Sequence, residues 1–193
     1  MVLGVAGRYC AGKDAVLSIL KNKGFSEINM DALGHKALEE KKEIILEHFG
    51  PSIFNARGEI DRKALGKIVF SDPFELKTLE SIVHPWMYGQ TEQILRTGTA
   101  SKWVINAALL FHMNLDRLCD AVLWVTAPLF VRIRRGLRRD KLSIRVILKR
   151  IWAQRGLKPQ NSGNHVDIYR VENRGTREAL ERRIRSLLKA KGL

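Results

Sequence analysis

One pattern restricts this chain more than any other: Gly7, four residues, then Gly12 and Lys13, in the stretch GRYCAGKD. Its flanks decide what it means. Residues 2–6 are short, apolar and partly β-branched, which reads as a buried parallel strand. From Lys13 onward, Ala15, Val16, Ile19 and Leu20 recur at helical spacing, and Gly24 offers a stop. A Gly-rich turn between a buried strand and a helix start aims successive backbone N–H groups at one point, where the helix dipole favours an anion. In the full motif the lysine reaches a nucleotide's β/γ-phosphates and a Ser or Thr hydroxyl follows for Mg²⁺. Here the next residue is Asp14. The pattern alone fits either a nucleotide site or a Gly-rich turn; its place between strand and helix favours the nucleotide site.

The rest of the chain alternates in the same manner. Residues 25–30 read as a second strand ending at Asp31, 102–107 and 121–126 as further strands, and 165–172 as a last one. Residues 32–96 read mainly as helices: an amphipathic stretch over 36–49, a loop at GPSIFNARGE, a helix capped by Asp61, and another opened by Ser71-Asp72-Pro73. Pro85 predicts a break or a new start there. Residues 128–155 are helical and very basic, 158–164 form a polar loop, and 176–191 form a closing amphipathic helix. Alternating strands and helices predict an α/β fold with a parallel sheet flanked by helices. Ligands of such sheets bind beyond the carboxyl ends of the strands, so Gly7 to Asp14, Asp31 and the residues after Ile105 should meet at one rim.

The 193 residues suit one domain with small inserted subdomains, and 45% hydrophobic content supports a core. Cys10 and Cys119 are too few and too far apart for a disulfide framework or a zinc site, and read as reduced thiols. No apolar run is long enough for a bilayer span, and the first residues lack a basic signal-peptide start, so a cytoplasmic protein is expected. The net charge of +14 favours polyanionic partners, either nucleic acid or a phosphorylated small molecule.

Few side chains stand out as chemistry. Asp31 could take a proton from an attacking hydroxyl in phosphoryl transfer, or could simply cap the helix that follows. Arg132, Arg134, Arg135, Arg138 and Arg139 are clustered, with Arg135 and Arg139 on one helix face. They could close over transferring phosphates, form a solvated basic face, or touch nucleic acid. The run lacks the interleaved aromatics of a single-strand platform. His84, before Pro85, reads as a turn-holding histidine, and no His or acid grouping has metal spacing.

Taken in order, GRYCAGK, INMD, FGPSIFNARGEIDRKALGKIVF, LESIVHP, VINAALLF, RRGLRRD with the later Gln154, and VDIYRVEN resemble the dephospho-CoA kinase family along nearly the whole chain. The segments G-E-I-D-R-x-x-L and L-E-x-I-V-H-P carry most of the specificity. The resemblance implies a P-loop kinase fold. Residues 1–31, 100–134 and 156–193 would form the nucleotide-binding core, 32–99 a helical substrate subdomain and 135–155 a small lid. It implies transfer of the γ-phosphoryl of ATP, with Mg²⁺, to the ribose 3′-hydroxyl of dephospho-CoA. No specific nucleic-acid or membrane partner is then expected. On this reading the loop residues Gly7, Arg8, Tyr9, Cys10, Ala11, Gly12, Lys13 and Asp14 hold ATP together with Arg135 and Asn173. Asp31, Lys13 and Arg139 act in catalysis, Arg62, His84 and Leu109 bind the acceptor, and Asp14 and Asn106 hold the metal.

Several positions depart from that family's pattern. Arg8 and Cys10 stand where it has glycine, which matters if the backbone needs a positive φ. Asn29 replaces the first acid of an Asp-x-Asp pair ending strand two. Asn106-Ala107-Ala108-Leu109-Leu110-Phe111-His112 replaces Asp-x-Pro-Leu-Leu-x-Glu, losing both carboxylates. One carboxylate is thus lost at 106 and one gained at 14, which suggests that the metal site keeps its charge by moving it. The competing reading is a catalytically impaired relative, and a basic nucleic-acid-binding protein is a further one.

Overall fold

A computed structural model describes residues 1–159 and 166–192. The chain divides into two compact units, Met1–Ile28 with Thr99–Leu193, and Asn29–Gly98.

The first unit is built on five strands: β1 (Val2–Gly7), β2 (Ser26–Asn29), β3 (Trp103–Asn106), β4 (Ala121–Thr126) and β5 (Asp167–Glu172). They lie in the order β2-β3-β1-β4-β5. β1 is central and runs parallel to β3 (Val5 opposite Asn106) and to β4 (Gly7 opposite Val125), and β4 runs parallel to β5. On one face Leu3, Val5, Leu123 and Val125 meet Val16 and Leu20 of α1 (Lys13–Lys21) and Leu180, Ile184 and Leu188 of α8 (Arg177–Ala190), all buried. Burying apolar surface of this kind stabilises by roughly 25 cal/mol per Å² removed from water. On the other face the chain after β3 packs so closely that a Cβ on Gly4 would lie 2.7 Å from Leu110 and 3.0 Å from Cys119. Cys10 and Cys119 are both buried free thiols.

The strands match the expected ones, with shifts of one or two residues at their ends. Met30 was expected in β2 but opens α2 (Met30–Glu40), because Asn29 caps that helix by accepting from the Ala32 N–H at 3.1 Å. Asp31 is therefore not the cap. Residues 128–155 are helical as expected and form two helices, α6 (Leu129–Asp140) and α7 (Ile144–Ala153), separated at Lys141, whose φ of 52° cannot continue a helix. Position 165, the expected start of the last strand, lies outside the described residues.

The second unit is helical: α2, α3 (Lys42–Phe49), α4 (Arg62–Ser71) and α5 (Pro73–Thr97). The amphipathic stretch over 36–49 is interrupted at Lys41, where α2 ends and α3 begins. Asp61 caps α4 by accepting from Lys63 and Ala64, and Asp72 caps α5 with Pro73 in its first turn. Pro85 does not break the chain here. α5 runs through it as one 25-residue helix, and Val83, Met87 and Thr91 on either side are buried at four-residue spacing against the unit's core. That burial outweighs the local cost of proline.

Candidate active site

The loop leaves β1 at Gly7 and enters α1 at Lys13. Ala11 N–H donates to Arg8 C=O at 3.0 Å, closing a tight turn. Gly12 is the N-cap of α1 with φ 90°, and no side chain caps the helix there, so its first N–H groups remain available to an anion. A side chain at Gly12 would collide with the Asn173 amide. Cys10 adopts φ 58°, so the loop does need a left-handed residue at one position where the resembled family has glycine.

Two layers hold this loop. Beneath it, Asn173 (4% exposed) donates to Ala11 C=O at 3.1 Å and Gly12 C=O at 3.3 Å, and accepts from Arg135 at 3.0 Å. Arg135 also donates to Ala11 C=O at 3.0 Å. Burial lowers the proton affinity of Arg135, though it stays charged. To the side, the α6–α7 pair is fastened to Arg8 and Tyr9. Arg8 donates to Leu157 C=O at 2.9 Å and Arg155 C=O at 3.3 Å. The Tyr9 N–H meets Gln154 Oε1, its C=O accepts from Arg132 at 2.8 Å, and its hydroxyl donates to Asp140. Arg139 and Arg150 lie 5.4 and 5.7 Å from the Tyr9 ring centroid and both pair with Asp140, at 2.8 and 3.0 Å. Arg139, then the Tyr9 hydroxyl, hold the Asp140 carboxyl down to about 2. Burial and that same bond raise the Tyr9 phenol.

Lys13, Asp14, Arg135, Arg138 and Arg139 line one pocket of about 370 Å³ over the loop. Of the expected residues, the structure thus brings together the whole loop, Arg135, Arg139 and Asn173. Asp14 is exposed in the first turn of α1. Asn106 points its amide N–H₂ at Glu27 Oε1, 2.8 Å away, and Glu27 also pairs with Lys21. Burial alone would raise the Glu27 carboxyl, but the bonds from Lys21 and Asn106 lower it on balance. Leu109 is half-buried in the turn after β3. Asp31, Arg62 and His84 belong to the helical unit: Asp31 is exposed in the first turn of α2, Arg62 is 2.7 Å from His35 Nε2, and His84 lies inside α5. Among the described residues no three His, Cys, Asp or Glu side chains cluster as a metal site.

Sequence reasoning missed three contributors. Arg132 looked like one more solvated arginine, yet it is 7% exposed and holds the loop. Asp140 was legible as the single acid closing RRGLRRD. Glu27 carried no signal, since nothing in the sequence tells which strand carboxylate faces Asn106.

A parallel sheet in this order, with a phosphate-type loop after its central strand and an arginine-bearing helix lining the same pocket, defines a P-loop kinase fold. Shikimate kinase from Acinetobacter baumannii shares it at a TM-score of 0.53 and 13% identity, over 100% of this chain and 94% of that one. The profile of the CoaE dephospho-CoA kinase family matches residues 1–175, and the chain belongs to that family. Dephospho-CoA kinase from Thermus thermophilus is 32% identical over 97% of this chain and 90% of its own length. The crystal structure of TT1252 from Thermus thermophilus superposes with a TM-score of 0.79 at 31% identity, covering 98% of this chain and 97% of that one. Dephospho-CoA kinase from Borreliella burgdorferi is 48% identical over 128 residues, 66% of this chain and 62% of that protein's length.

Proposed function

We propose that the protein transfers the γ-phosphoryl group of ATP to the ribose 3′-hydroxyl of dephospho-CoA, giving coenzyme A and ADP. One observation carries the reading: the uncapped start of α1 and the arginines of α6 line the same pocket. Backbone N–H groups and Lys13 hold the β- and γ-phosphates, while Arg138 and Arg139 offset charge that develops on the transferring group. Arg135, with Asn173, fixes the loop's shape. Asp31 is the base, accepting the proton of the 3′-hydroxyl. Because Asn29 does the capping, the Asp31 carboxylate is not committed to the helix terminus. Arg62, His84 and Leu109 belong to acceptor binding.

The donor set fits a Mg²⁺ ion carried by the nucleotide rather than one held by protein alone. One exposed carboxylate, Asp14, stands at the start of α1, and Mg²⁺ is often bound through one or two carboxylates plus substrate phosphates. Bound there, Mg²⁺ would neutralise charge on the β- and γ-phosphates. Asn106, with its N–H₂ on Glu27, retains an amide oxygen for the second position. Cytoplasmic placement accords with the absence, among the described residues, of any helix long and apolar enough to cross a membrane.

The test is ADP release measured with and without dephospho-CoA, in Mg²⁺ and in Mn²⁺. ADP formation that requires dephospho-CoA supports the assignment; ATP binding without turnover makes this an impaired relative. If charge has moved from 106 to 14, Asp14→Ser combined with Asn106→Asp retains activity, and each single change is worse. Asn106→Asp sets two carboxylates against each other at Glu27 in the single and the double variant alike, so both lose stability and activity is compared at a temperature where both stay folded.

A further inference from the structure

A second pocket, of about 660 Å³, adjoins the phosphate loop and, among the described residues, shares only Arg8 and Ala11 with the first. Arg8, Arg132 and Arg170 line it together with Trp124, Thr126 and Ile168. Three guanidinium groups around one cavity repel one another unless anions separate them. Among the described residues none of the three meets a carboxylate. Arg8 spends its bonds on Leu157 and Arg155 carbonyls, and Arg170 donates to the Thr126 hydroxyl at 3.2 Å. Arg132 is the telling member. It is 7% exposed, its Nε is used on Tyr9 C=O, and its Nη2 is buried without a partner. Burial, then the nearby Arg8 charge, lowers its proton affinity. A buried cationic donor left unsatisfied is costly and implies a missing acceptor.

We infer that this cavity is a second anion site, distinct from the nucleotide's, which takes a phosphomonoester carrying an apolar body. The three arginines supply the phosphate contacts, for which guanidinium forks are suited. Trp124 and Ile168 supply an apolar wall of a kind that a bare inorganic anion does not need. Asp140 is not among the residues lining this cavity and is occupied by Arg139 and Arg150.

Phenyl phosphate and inorganic phosphate are the probes, titrated calorimetrically into the intact protein with ADP saturating the phosphate loop. Phenyl phosphate should bind once per chain in the presence of ADP, and more tightly than inorganic phosphate. Arg170→Gln, on an exposed side chain outside the loop, should weaken it about tenfold, the scale of one lost charge-assisted hydrogen bond. Lys13→Ala should leave it unchanged. Binding that vanishes when ADP is present would show that the phosphate loop accounts for all of it. Indifference to Arg170→Gln, or no binding up to the solubility of phenyl phosphate, overturns the site. If inorganic phosphate binds as tightly as the ester, the apolar part of the assignment is wrong. Loss of ADP binding itself would instead count against the kinase reading, and the two failures are thereby separable.

Discussion

Cys10 shows what the altered loop costs. Its φ of 58° places an L-residue in the left-handed region, at about 1–2 kcal/mol. Glycine would relieve that strain but lose roughly 0.5–1 kcal/mol to chain entropy, together with the buried side chain. Cys10→Gly should therefore leave stability within about 1 kcal/mol of the parent, whereas β-branched Cys10→Val should lose about 2 kcal/mol. Denaturant midpoints decide it. Tyr9, between the two substituted positions, has a visible role, since its ring and hydroxyl hold α6 and α7 through Asp140, Arg139 and Arg150. Asp140 is held at about 2, below its ordinary 3.8. A depressed carboxyl contributes stability above its unfolded value and loses it as pH falls through the folded one. The Tyr9 anchor should thus persist at pH 5, weaken below about 4 and be gone near 2. Amide exchange in α6 and α7 should rise in Tyr9→Gly at neutral pH, and much less in Tyr9→Phe, which keeps the ring beneath both guanidinium groups. Equal exchange in all three proteins would remove Tyr9 from this role. The sequence displayed Arg8 and Cys10 as departures from a glycine pattern. It did not display the contacts that Arg8 and Tyr9 make, because those partners lie about 120 to 150 residues away and only the fold brings them in.

Elements were legible wherever hydrophobic period and caps agreed. β4 was read to the residue, the Asp61 cap sits where the sequence put it, and the helix expected to open at Ser71-Asp72-Pro73 does so with Asp72 as its cap. The misreadings share a cause, which is that tertiary burial overrides a local breaker or fails to override one. Lys41 and Lys141 carry no breaker signal, yet α2 and α6 stop there because the chain must turn. Pro85 carries the strongest breaker signal, yet α5 continues through it, since Val83, Met87 and Thr91 anchor both halves to one core. Relative to alanine, proline inside a helix costs up to about 3 kcal/mol. The surrounding helix has adapted to Pro85, which is exposed, so Pro85→Ala should recover part of this, about 1–2 kcal/mol, as a higher denaturation midpoint. Unchanged or lower stability would mean that the ring packs usefully against a neighbour. Loss of dephospho-CoA-dependent turnover with stability gained would place the proline's value in acceptor binding instead.

Across the whole molecule the charge is divided unevenly in a way the total conceals. The helical unit, residues 29–98, carries 9 Lys and Arg against 11 Asp and Glu. The unit bearing the loop holds the other 25 basic and 9 acidic residues, a surplus of 16. The basic composition that left nucleic acid and phosphorylated small molecules as equal candidates is thus a property of the loop-bearing unit alone. Within it, Arg132, Arg135 and Arg139 are spent on the loop and its pocket rather than spread over a groove for a long polymer. Such a field should act mainly on encounter with polyanionic substrates. Surface charges are screened beyond about 10 Å at 0.1 M salt, while contacts inside the pocket are screened far less. Raising salt from low to moderate ionic strength should therefore raise KM for ATP several-fold and leave kcat nearly unchanged. Charge-reversing substitutions in the helical unit should do little to that dependence, and neutralising exposed arginines of α8, such as Arg182 and Arg185, should flatten it. A kcat that falls in parallel with salt would place the surplus charge in the chemical step, and a salt-independent KM would leave it without a role in substrate capture.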